Sequence, residues 1–161
     1  GSINLRPFRS LKLSTFEEDL NINFLSMVKS LQKVINNLKK SGNASVVLFS
    51  TVAVKVGMPF HTSVSASKGA IEGFARSLAA EYAPLLRVNV IAPSLTDTPM
   101  AQRFLNNDLK KEKVGDKHPL KRHGNANDIA NSVVHLLSDN SSWITGQTFG
   151  VDGGMSSINL S

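Results

Sequence analysis

The sequence predicts an α/β protein, a parallel sheet whose strands alternate with helices through right-handed crossovers. Two short apolar runs with β-branched residues, Ala44–Phe49 and Leu86–Ala92, read as strands buried on both faces. Stretches of helical period flank both runs. A third strand is expected within Thr145–Val151, centred on 148–151, and the turn Asp152-Gly153-Gly154 follows it. The 161 residues make one domain, and 41% apolar against 19% charged residues excludes a disordered chain.

From the N-terminus, Gly1-Ser2 carries no structural expectation, and residues 1–14 form a poorly defined segment. Thr15-Phe16-Glu17-Glu18 has the pattern of a capping box. Leu20, Phe24, Met27, Val28, Leu31, Val34, Ile35 and Leu38 then recur at helical spacing, predicting a helix over 16–39 that Ser41-Gly42-Asn43 breaks. An Ala-rich helix over 65–83 should stop at Pro84, and Pro93 should end the second strand. Asn125 to Asp128 should cap a third helix reaching Leu137. Between these, 101–123 holds Gly115, His118-Pro119 and alternating charges, and is expected to be a mobile or irregular flap. Three parallel strands make a thin core with an exposed edge, so the chain reads as the second half of a larger sheet.

The absence of cysteine excludes a disulfide framework, thiol catalysis and Cys-ligated metal, and fits a reducing cytoplasm. No apolar run approaches the length of a membrane span. Of the formal charge of +6, most lies in 103–123, with seven Lys and Arg against three acids. A nucleic-acid module would need stacking aromatics or a recognition helix there, and only Phe104 lies inside, so no nucleic-acid partner is expected. The stripe is read either as a solvated loop or as a basic flap attracting an anionic ligand. His118 and His123 lie on it without a convincing third metal ligand, so no metal is expected.

Several motifs occur in a telling order. Leu48-Phe49-Ser50-Thr51-Val52-Ala53 ends the first strand, and thirteen residues after Thr51 comes Val64-Ser65-Ala66-Ser67-Lys68-Gly69-Ala70. Arg87 to Ser94 is followed by Thr98-Pro99-Met100, then by Asp128-Ile129-Ala130, Ile144-Thr145-Gly146-Gln147 and Val151-Asp152-Gly153-Gly154. Together, from about Thr15 to Gly154, they resemble the short-chain dehydrogenase/reductase family. The resemblance implies a Rossmann-like doubly wound parallel sheet, of which 15–161 would be the C-terminal part of one NAD(P)-binding domain. The family's glycine-rich turn and its Asn-Asn-Ala-Gly strand have no counterpart in these residues, so the strands carrying adenine and pyrophosphate are expected elsewhere.

The same resemblance assigns roles. In the family a tyrosine phenol exchanges the substrate proton, and a lysine one helical turn later lowers its pKa and holds the nicotinamide ribose. Lys68 matches that lysine, but Val64 stands at the tyrosine position and has no proton to give. His61, or Ser63 or Ser65 through water, is the candidate substitute; Lys68 could alternatively pair with Glu72 at i+4. Thr51 matches the serine that bonds the substrate carbonyl, with Ser50 as the neighbouring alternative and a strand-end backbone cap as the plain one. Asn23 matches a helix asparagine whose backbone holds a water near the lysine. Pro93, Ser94, Thr96 and Thr98 match the loop that meets the nicotinamide carboxamide and pyrophosphate, with Ser94 where glycine is usual.

The implied function is NAD- or NADP-dependent hydride transfer to or from a small carbonyl or alcohol substrate, with an altered active site. The alternative is a non-catalytic relative that binds a nucleotide or dimerises. A homodimer or homotetramer is implied through helices 16–39 and 65–83, burying Met27, Leu31 and Phe74.

Overall fold

The computed structural model describes residues 1–159. Strands β1 (Ala44–Phe49), β2 (Leu86–Pro93) and β3 (Thr148–Val151) form one parallel sheet in that order. Ala44 pairs with Leu86 and Val90 with Thr148, so β2 is central and buried along its length up to Pro93. The expected strands, direction and adjacency are therefore present.

Strand alternation sorts the two faces. Ala44, Leu48, Val88 and Val90 join Ile71, Ala75 and Ala79 in the core, with Phe24, Met27, Leu31 and Phe74 packed against it. That face carries α1 (Leu13–Leu20), α2 (Ser26–Ser41) and α4 (Thr62–Tyr82). The alternate residues Ser45 and Arg87 turn to the opposite face, where Ser45 Oγ donates to the Leu136 carbonyl at 2.8 Å. The Arg87 guanidinium donates to the carbonyls of Leu136, Ser138 and Ser141 at 2.9–3.1 Å. Those carbonyls end α7 (Ala126–Leu137), so a buried cation closes the negative end of a helix.

Several boundaries differ from the sequence reading. The long helix starts at Leu13 behind Lys12, which makes no side-chain cap, so Thr15 and Glu18 lie inside it and form no capping box. Packing overrides the local pattern: Phe16 meets Phe8 edge-on, ring centroids 6.2 Å apart, and the Thr15 carbonyl accepts from Ser63 Oγ. The helix is also interrupted by a π-turn at Asn21–Leu25 between α1 and α2, where Ser26 N–H reaches back to the Asn21 carbonyl. Gly42, at φ 75°, closes α2 as expected. Helix α4 starts three residues early and ends where Ala83, extended before Pro84, leaves the helix. The Asn125–Asp128 capping box is formed.

The flap is not irregular. A 3₁₀ turn (Pro99–Ala101), α5 (Gln102–Leu105) and α6 (Asp108–Asp116) occupy it, and Asn107 Oδ1 caps α6 by accepting from Lys110 N–H at 2.9 Å. Ala101, Leu105, Gly115 and His118 are buried beneath an otherwise exposed surface. A Cβ at Gly115 would lie 3.1 Å from the Lys121 carbonyl, which is why the chain can fold back there. The first residues are also engaged, and α3 (Val52–Val56) follows β1. Ser2 N–H donates to Asn23 Oδ1 at 3.0 Å, and Asn4 Nδ2 to Asp19 at 2.9 Å.

Candidate active-site cleft

The C-terminal ends of β1 and β2 open into a cleft of about 560 Å³, within the range of small-molecule sites. Pro93, Ser94, Thr96 and Thr98 line it together with Phe49 and, from α7, Ile129, Ala130 and Val133. Four residues picked from the sequence for a cofactor thus share one wall. The loop carrying them is held from two sides. Asp97 N–H donates to the Gly124 carbonyl at 2.9 Å and Gly124 N–H to Leu95 at 3.1 Å, pinning the loop to the start of α7. Within it, Thr96 Oγ1 donates to the Ser94 carbonyl and Thr98 Oγ1 to the Thr96 carbonyl.

His118 provides the second anchor. Its ring is 2% exposed, with Nδ1 2.7 Å from the Val114 carbonyl and Nε2 2.8 Å from Ser94 Oγ. A carbonyl only accepts, so Nδ1 carries the proton, and in the neutral ring Ser94 donates to Nε2. Gly153, at φ 62°, packs against this ring; its missing side chain leaves the room. The sequence gave His118 no role, since the partner that fixes it is 24 residues away.

Lys68 lies on α4 and reaches the end of β1, where its ammonium donates to the Phe49 carbonyl at 2.9 Å. Burial pushes its pKa below the ordinary lysine value. It does not pair with Glu72, whose carboxylate instead accepts from Ser50 Oγ at 2.6 Å. Thr51 caps α3, its Oγ1 accepting from Ala53 N–H at 3.4 Å. The Ser50 proton is committed to Glu72, whereas the Thr51 hydroxyl, an acceptor in its cap, keeps its proton to donate. Asn23 sits buried inside the π-turn, and its Nδ2 donates to Ser67 Oγ at 3.2 Å, beside Lys68 in sequence. A π-turn often marks a functional position, and no feature of composition announced this one.

Val64 is 4% exposed on the first turn of α4, one helical turn before Lys68. The next side chain back, Ser63, donates to Asp19 at 2.6 Å, so its proton is committed too. Asp19 is fully buried and accepts from Ser2, Asn4 and Ser63. His61 begins α4, its Nδ1 2.7 Å from the Pro59 carbonyl, which leaves Nε2 as the open ring nitrogen. The preceding Phe60 has φ 68°, a left-handed backbone that is costly for a bulky side chain. No cluster of three or more potential metal ligands occurs among the described residues, and none of their helices is long and apolar enough to cross a membrane.

A family model described as Enoyl-(Acyl carrier protein) reductase matches residues 2–156, beginning well upstream of the Thr15 motif. Glucose 1-dehydrogenase of Gluconobacter oxydans is 32% identical over 92% of this chain and 57% of its own length. Peroxisomal 2,4-dienoyl-CoA reductase of Saccharomyces cerevisiae is 36% identical over 92% of this chain and 51% of its own. Aldohexose dehydrogenase of Thermoplasma acidophilum, solved ligand-free, superposes with a TM-score of 0.93 at 28% identity, covering 100% of this chain and 67% of that one. The chain thus spans between half and three-fifths of the length of these two curated relatives. Its parallel sheet, its flanking helices and the family match over nearly its whole length place it in one family: the chain belongs to the short-chain dehydrogenase/reductases.

Proposed function

We propose that this chain supplies the nicotinamide-binding and reacting part of an NAD- or NADP-dependent oxidoreductase acting on a carbonyl or alcohol. The observation that carries the reading is the half-buried Lys68 ammonium held at the end of β1 on the Phe49 carbonyl, with the Phe49 ring lining the same cleft as Pro93–Thr98. The residues present fit the nicotinamide end of a dinucleotide: a desolvated cation on one side and a pinned loop with hydroxyls on the other. The pyrophosphate end needs a turn of backbone N–H groups that these residues do not contain.

When bound, the cofactor supplies or takes the hydride. Lys68 then holds the ribose hydroxyls and raises the positive potential beside the reacting oxygen. Thr51, with its proton uncommitted, donates to the substrate carbonyl, and Ser94 and Thr96 orient the carboxamide. Asn23, in its π-turn, keeps the segment beside Lys68 in register. Val64 occupies the tyrosine position of the family, so the proton must come from another group, and losing a general acid costs about 10²- to 10⁴-fold in rate. His61 is the candidate favoured by geometry, because its open Nε2 lies at the start of the same helix. Pairing of α2 and α4 with a second copy, in a homodimer or homotetramer, and a cytoplasmic location belong to the same proposal. The helix pair carries apolar surface beyond its own core, and the chain has no cysteine.

The test is turnover of a ketone panel by the longest native reading frame, unaltered and as Val64→Tyr. Activity gained only with the phenol supports a degenerate site. Full activity with Val64, abolished by His61→Ala, makes the histidine the acid. No dinucleotide binding and no turnover in either protein favours the non-catalytic alternative.

A further inference from the structure

The chain's positive charge is unevenly placed. Residues 1–12 carry Arg6, Arg9 and Lys12 and no acid, and 103–123 carry seven cations against three acids. Everything else holds eight cations and nine acids, so these two segments contain the whole net excess. They are joined in space: Arg103 donates to the Ile3 carbonyl at 3.1 Å, and Lys110 Nζ to the Arg103 carbonyl at 3.3 Å. Arg6 follows Ile3 by three residues and so lies within roughly 10 Å of it along the chain. Among the described residues Arg122–Asp128 is the one ion pair, which leaves Arg6, Arg103, Lys110 and Lys111 exposed without a carboxylate partner.

This cationic rim borders the mouth of the cleft, because Ile3, Met100, Ala101 and Phe104 line the cleft itself. We propose that the substrate of this site is an apolar carbonyl compound attached to a phosphate-bearing tail, with the carbonyl part in the cleft and the phosphates on the Arg6–Arg103–Lys110 rim. The proposal rests on the oxidoreductase reading and narrows its substrate. A single carboxylate would be served by one arginine in bidentate contact. Several mobile cations, mostly lysines, instead suit a diffuse polyanion held as point charges. Unpaired exposed cations also speed the approach of such an anion, an effect that salt screens over about 10 Å at 0.1 M.

The probes are acetoacetyl-CoA and the acetoacetyl thioester of N-acetylcysteamine, which present the same β-ketothioester with and without phosphates. The protein is the longest native reading frame, with Arg6→Glu/Lys110→Glu compared against Lys33→Glu/Lys40→Glu, an equal charge change on α2. Lys110→Glu places an acid in the first turn of α6, which suits that helix end, and melting curves verify folding. Equilibrium binding is measured alongside turnover, so a protein that binds but does not reduce separates this proposal from the oxidoreductase reading. The expected result is tenfold or more weaker binding of acetoacetyl-CoA in the rim variant alone, with the neutral thioester unaffected in all proteins. Equal binding of the two thioesters by the unaltered protein would overturn the proposal. So would a rim variant that weakens NADPH binding while leaving acetoacetyl-CoA unchanged, since the rim would then serve the cofactor.

Discussion

Asp19 shows how much a single buried side chain can organise. It accepts hydrogen bonds from Ser2, Asn4 and Ser63, tying the first residues and α4 to α1 with no cation among its partners. Replacing it by alanine strands three donors in a closed pocket, and each unsatisfied group costs about 1–3 kcal/mol. Asp19→Ala should therefore lower stability by at least about 2 kcal/mol, read from the urea midpoint at unchanged slope. An isolated sequence could not announce this: Ser63 is 44 residues from Asp19, and nothing local marks a carboxylate in Glu17-Glu18-Asp19 as the buried one. Lys68, by contrast, was legible, because its flanking small residues and its distance from Thr51 form a pattern along the chain. His118 was visible only as a histidine on a basic segment; its bond to Ser94 exists only once α6 folds back on the cofactor loop.

Helix ends separate what local sequence decides from what packing decides. Asn125 and Asp128 were readable as a cap and form one, each side chain bonding the other's backbone N–H. Asn125→Ala should cost about 1 kcal/mol, measurable by thermal or urea denaturation. The Asp128 carboxyl is lowered to about 2, chiefly by its hydrogen bond from Arg122 and next by the Asn125 N–H. Its folded pKa lies below the ordinary value of 3.8, so its contribution to stability is complete above that value and is lost as pH falls through about 2. Carboxyl resonances followed by NMR should give a midpoint near 2, moving toward 3.8 in Arg122→Gln. Thr15-Phe16-Glu17-Glu18 had the same letters of a cap and made none, because Phe8, Phe16 and Ser63 set the helix start two residues before Thr15. The π-turn at Asn21–Leu25 was equally hidden: one residue of extra winding leaves the apolar period almost intact.

The sheet carries the argument at the scale of the molecule. All three strands, their parallel direction and their order were readable, since strands buried on both faces announce themselves as apolar runs. The flap was not, because α6 is polar around most of its surface and is held by caps and by the buried His118 rather than by an apolar stripe. Met27, Leu31 and Phe74 already pack against the chain's own core, so substituting them would confound assembly with folding. Val34, on the same side of α2 and 44% exposed, is the cleaner probe. For the proposed α2–α4 pairing, light scattering should give a mass twice or four times that of the chain, and Val34→Glu should shift it toward the monomer.

The central claim is that Lys68 and the Pro93–Thr98 loop hold the nicotinamide end of a dinucleotide. Calorimetric titration of NADH and NADPH into the longest native reading frame, unaltered and as Lys68→Met, tests it most directly, because it needs no substrate and no proton donor. The account predicts saturable binding of one of the two in the unaltered protein, weakened at least tenfold by Lys68→Met with folding intact. Binding of equal strength in both proteins would contradict it.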